Sequence, residues 1–92
     1  MILLADGGAT KTHWVMFDRQ QQFEAETIGI SPVHSTPSDH YDELKRIFSS
    51  TFPGAPSEIY FYGAGCASSE LCESVGGLLS QLYPEAAVHV DS

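Results

Sequence analysis

Short apolar runs separated by polar turns mark five strands along this chain, one of them with a clean period of two, and twice the period lengthens to that of a helix. Residues 2–6 open it as a strand. Its run Ile2 to Ala5 is apolar at both parities, which predicts a central strand covered on both faces. Residues 12–18 predict a second strand, and Asp18-Arg19-Gln20-Gln21 a hairpin turn that lacks the strong Asn-Gly signal. Residues 22–28 set Phe23, Ala25 and Thr27 against Gln22, Glu24 and Glu26, a half-exposed third strand. Gly29, Pro32 and Pro37 make residues 29–37 a loop. Thr36 then reads as a helix N-cap, with Pro37 at the first helical position and Asp39 in the first turn. Tyr41, Leu44 and Phe48 form one stripe of that helix, expected over 37–51 and ended by Pro53-Gly54-Ala55-Pro56. A fourth strand is expected over 57–62, with a turn at Gly63-Ala64-Gly65. A second helix over 68–82 buries Leu71, Val75, Leu78, Leu79 and Leu82. Gly76-Gly77 inside it costs about 2 kcal/mol relative to two alanines, which predicts close packing on the sheet or a break. Residues 86–91 complete the order β-β-β-α-β-α-β, an α/β or α+β pattern.

Bulk properties narrow the classes. The 92 residues suffice for one small domain, residues 1–92, with a modest core. Four Lys and Arg face 12 Asp and Glu, a formal net charge of −8. Without a basic footprint, nucleic acid and anionic membrane surfaces are disfavoured as partners. The apolar run before Asp6 is too short for a secretion signal, and no run approaches membrane-spanning length, so the cytoplasm is the expected compartment. Cys66 and Cys72 have no zinc spacing and are expected to be reduced.

The densest chemistry lies in Asp6-Gly7-Gly8-Ala9-Thr10-Lys11-Thr12, between the first two strands. Gly7 and Gly8 permit positive φ and close backbone approach to a ligand. Consecutive N–H groups in such a turn form a concavity for phosphate oxygens. Thr10 and Thr12 add hydroxyls, and Lys11 adds a charge or faces solvent. Asp6 would repel a bare phosphate, and suits the position if Mg²⁺ lies between them, usually through water. This is neither a Walker A loop nor a dinucleotide glycine motif. An ordinary glycine-containing hairpin accounts for the same residues.

The Asp6–Thr12 stretch resembles the first phosphate motif of the actin, Hsp70 and sugar-kinase superfamily. Within it, the chain resembles the N-acetylglucosamine kinase and BadF/BadG/BcrA/BcrD ATPase family. Gly29-Ile30-Ser31-Pro32-Val33-His34, Ile59-Tyr60-Phe61-Tyr62-Gly63-Ala64-Gly65-Cys66 and Val88-His89-Val90-Asp91-Ser92 fit further family stretches in the same order. The resemblance implies a ribonuclease-H-like, actin-like ATPase half-lobe with a mixed five-stranded sheet. It implies the truncated N-terminal lobe of a two-lobed enzyme, whose C-terminal lobe is missing. The implied chemistry is phosphoryl transfer from ATP, with Mg²⁺, to N-acetylglucosamine or a related amino sugar. Asp6, Gly7, Gly8, Thr10 and Lys11 would bind the nucleotide, with Asp6 also placing Mg²⁺ through water. Ser31, His34, Gly63 and Gly65 would face the sugar. Family members often carry asparagine at Ser31 and an acid at His13, and His13 is read here as a surface or packing residue. The catalytic base is expected just beyond Ser92, so the isolated fragment should be inactive. Asp91 is then a strand-end residue. Two other functions fit the same motif: an ATPase that activates acyl-CoA dehydratases, and a non-catalytic ligand-sensing module. Apolar surface left open by a missing lobe predicts self-association of the fragment.

Overall fold

The computed structural model describes residues 1–8, 10–29, 40–63 and 69–91. Its elements in order are β1 (Ile2–Gly7), β2 (Lys11–Phe17), β3 (Gln22–Ile28), α1 (Tyr41–Thr51), β4 (Glu58–Gly63), α2 (Ser69–Leu82) and β5 (Ala87–Asp91). The five strands form one mixed sheet in the order β3-β2-β1-β4-β5. β1 runs antiparallel to β2 and parallel to β4, with Gly7 opposite both Thr12 and Gly63. β2–β3 is antiparallel and β4–β5 parallel.

The turn between β2 and β3 needs no glycine because a side chain holds it. Asp18 Oδ1 accepts the N–H groups of Gln20 and Gln21, both at 2.8 Å, and Asp18 N–H donates to the Gln21 carbonyl at 3.0 Å. An aspartate that bonds its own turn replaces the positive-φ pair of a tighter hairpin.

Alternation decides which side chains enter the core. Leu3 and Ala5 of β1, Trp14 and Met16 of β2, and Ile59 and Phe61 of β4 are all buried on one face. Leu44 and Phe48 of α1, and Val75, Leu78 and Leu79 of α2, cover that face. Trp14 links the layers: its ring meets Phe48 edge-on at 4.9 Å. Its Nε1–H donates to Thr27 Oγ1 on β3 at 2.9 Å, so the buried indole keeps a partner. Tyr83, just after α2, stacks on Phe48 at 6.1 Å, and burial pushes its hydroxyl up to about 12.

Three expectations are corrected here, and a fourth falls partly outside the described residues. β1 is central, but among the described residues only one of its faces is covered. Leu4 is 41% exposed, and Ile28 and Tyr62, on the same side, are 50% and 48% exposed. Strand β1 is apolar at both parities, and that composition hid its alternation. Secondly, none of the described glycines has positive φ. Gly7 and Gly63 are needed for space: a Cβ on Gly7 would sit 2.7 Å from Phe61 Cζ, and one on Gly63 would overlap Phe61 Cε1. Thirdly, α2 runs unbroken through Gly76 and Gly77. A Cβ on Gly76 would make ordinary contact with Val90 at 3.6 Å, and one on Gly77 would meet nothing, so tight packing does not require either glycine. Lastly, the α-helical span of α1 begins at Tyr41, after His40, which makes no side-chain cap hydrogen bond. The expected cap at Thr36 and start at Pro37 lie outside the described residues.

Candidate functional site

The uncovered face of the sheet carries a concavity of about 320 Å³ at the β1–β2 hairpin end, lined by Asp6, Gly8, Thr10, Lys11, His13 and Glu26. Its construction follows from strand parity. Asp6, the last exposed residue of β1, lies opposite His13, which lies opposite Glu26 on β3. Lys11, two residues before His13, shares its face. Two backbone hydrogen bonds close the tip. Gly8 N–H donates to the Lys11 carbonyl at 2.8 Å, and Gly29 N–H donates to the Thr10 carbonyl at 2.9 Å.

The concavity is charged at its walls. Lys11 Nζ lies 3.8 Å from Glu26 Oε1, both side chains more than half exposed. His13 Nε2 lies 3.3 Å from Glu24 Oε1, again at the surface. The expected surface position of His13 holds, and its imidazole also lines the concavity.

Of the residues expected to bind the nucleotide, the structure brings Asp6, Gly8, Thr10 and Lys11 together. Gly7 is not among them. It faces the core beneath Phe61, as does Gly63, one of the expected sugar-facing residues. Thr12 does not offer its hydroxyl to a ligand as expected, because its even parity turns it inward. It is fully buried, and its Oγ1 has no hydrogen-bond partner among the described residues. The Gly8 N–H, expected in a phosphate-facing row, is spent on Lys11. Ser31, His34 and Gly65, the other expected sugar-facing residues, lie outside the described residues, as does Cys66. Sequence reasoning missed Glu26. The signal was present: β3 alternates cleanly, and with both hairpin registers counted through, Glu26 falls opposite His13.

The donor set fits the phosphate end of a nucleotide with its divalent ion. An ammonium and the Thr10 hydroxyl suit phosphate oxygens, and one carboxylate suits a hard cation. Among the described residues no three His, Cys, Asp or Glu side chains converge on a metal position. Mg²⁺ at Asp6 would therefore complete its shell with water and ligand oxygens.

Neither family models nor curated sequences match this chain. A solved structure does: that of the "Putative N-acetylglucosamine Kinase" from Porphyromonas gingivalis, with a TM-score of 0.84 and 25% sequence identity. The match covers 99% of this chain. It supports the N-acetylglucosamine kinase family. This chain spans 34% of the length of that kinase, so the family's fold is represented here by about a third of a full relative. The mixed five-stranded sheet with two helices is the part the two share.

Proposed function

We propose that this chain is the N-terminal part of an ATP-dependent sugar kinase of the cytoplasm, acting on N-acetylglucosamine or a related amino sugar. The observation that carries the reading is the concavity at the β1–β2 hairpin, where Asp6, Thr10 and Lys11 meet on one face. The likeness to the Porphyromonas gingivalis protein supports the same reading, as does a strand order suited to a ribonuclease-H-like half-lobe. Bound ATP supplies the phosphoryl group, and Mg²⁺ neutralises its charge. Asp6 holds the ion through water, Lys11 and the Thr10 hydroxyl hold phosphate oxygens, and Gly8 leaves room for them. The sugar belongs to Ser31, His34, Gly63 and Gly65, of which Gly63 would contribute its backbone. The base that takes the sugar hydroxyl's proton lies past Ser92 in this reading, and a C-terminal lobe closes the nucleotide site.

The test is a coupled ADP-release assay on the full-length protein with Mg-ATP and a panel of sugars. Release should require an amino sugar and should fall at least ten-fold in Asp6→Asn, the loss expected when a charge-neutralising group is removed. Residues 1–92 alone should release no ADP. Sugar-independent release, or full activity in Asp6→Asn, would overturn the reading.

A further inference from the structure

The charge balance of the concavity is wrong for a bare phosphate. Asp6 and Glu26 face it from opposite walls, on β1 and β3, with Lys11 and His13 of β2 between them. The formally charged side chains in that lining are thus two carboxylates and one lysine. Glu26 also holds the lysine, with Lys11 Nζ 3.8 Å from its Oε1. An incoming anion must therefore compete with Glu26 for Lys11 and approach the Glu26 carboxylate as well. Both effects oppose binding, and both grow with the negative charge of the ligand. A divalent cation on the ligand roughly halves its negative charge and gives Asp6 a counter-ion, so both penalties shrink for the metal complex.

We propose that Glu26 is a specificity-determining residue: it makes the concavity take a nucleotide polyphosphate as its divalent-metal complex and reject the metal-free anion. The inference rests on the phosphate-site reading above. Asp6 serves the metal in that reading. Glu26, engaged with Lys11, acts on selectivity. Glu24, two residues earlier on the same face, pairs with His13 at 3.3 Å and does not line the concavity. It carries the same charge and supplies an internal control.

The experiment is calorimetric titration of the full-length protein with ATP, in excess Mg²⁺ and in EDTA, at low ionic strength. The unsubstituted protein should prefer Mg-ATP. Glu26→Gln keeps the side-chain shape and removes the charge. It should tighten metal-free ATP about five-fold and Mg-ATP about two-fold, since the metal-free form carries about twice the charge. The metal preference therefore falls at least two-fold, and 0.5 M salt should erase the difference. Glu24→Gln, at a position outside the lining that pairs with His13, should lower the preference by clearly less. If the unsubstituted protein binds neither form, the phosphate-site reading fails and this inference falls with it. If it binds Mg-ATP but Glu26→Gln leaves the preference intact, or Glu24→Gln lowers it equally, the inference alone is overturned.

Discussion

Thr12 shows how one residue's parity separates packing from chemistry. Sequence offered its hydroxyl as a phosphate donor beside Thr10. The structure turns it into the core, where its Oγ1 is buried without a partner among the described residues. A hydroxyl held that way is a net cost, because its hydrogen bonds to water are lost and not replaced. Thr12→Val should accordingly stabilise the protein by about 1 kcal/mol, read as a higher urea midpoint, with nucleotide affinity unchanged. A fall in both would return Thr12 to the site. Gly7 and Gly63 show the same separation. Both looked like ligand-approach glycines, and both are explained by the ring of Phe61 lying over them. The Gly7 clash joins residues far apart in sequence and no local pattern encodes it, whereas Gly63 lies two residues after Phe61 on the same strand face. Asp6, Thr10 and Lys11 were legible because a short polar turn between two apolar runs can place them only at a hairpin tip.

Among the elements, β3 matched its expected span, Gln22–Ile28, because polar and apolar residues alternate from Gln22 to Glu26 and Thr27 keeps the inward parity. β1 was misread as covered on both sides because Ile2 and Leu4 are apolar although they face outward. Composition cannot reveal parity when both faces carry the same residue type. In α2 the two glycines suggested tight packing or a break, yet the helix is continuous and Gly77 faces open space. Gly77→Ala should thus raise stability by about 1 kcal/mol, measured by denaturant unfolding, with no change in fold. The β2–β3 turn depends on acid chemistry instead. Hydrogen bonds from the N–H groups of Gln20, then Gln21, hold the Asp18 carboxyl below its usual value of 3.8. A lowered value means that the folded state favours the charged form. That stabilisation is present above pH 3.8 and is lost as pH falls through the folded-state value. Unfolding midpoints followed from pH 5 down to pH 2 should show this acid limb, and Asp18→Asn should reduce it.

At the scale of the whole molecule, the uncovered sheet face combines two opposed tendencies. Leu4, Ile28 and Tyr62 expose apolar surface, while Asp6, Glu24, Glu26, Glu58 and Asp91 give the same face a negative charge. Two copies meeting through it would gain apolar contact and suffer repulsion. Added salt screens the repulsion, shortening its range from about 30 Å at 0.01 M to about 8 Å at 0.15 M, and leaves the apolar term. Association of the isolated chain should therefore strengthen with salt, followed by light scattering, and Leu4→Glu should weaken it at least ten-fold. Association that weakens with salt would mean an ion-paired interface elsewhere. The sheet also forms a partition one strand thick. Asp6 looks out over the concavity at the hairpin, and the next residue, Gly7, looks inward at Phe61. The interior and the concavity are joined there by a single peptide unit, so a change at Phe61 can reach the concavity through Gly7. If the concavity holds a nucleotide as proposed, trimming the buried Phe61 is the shortest route by which a change in the hydrophobic interior would alter its affinity.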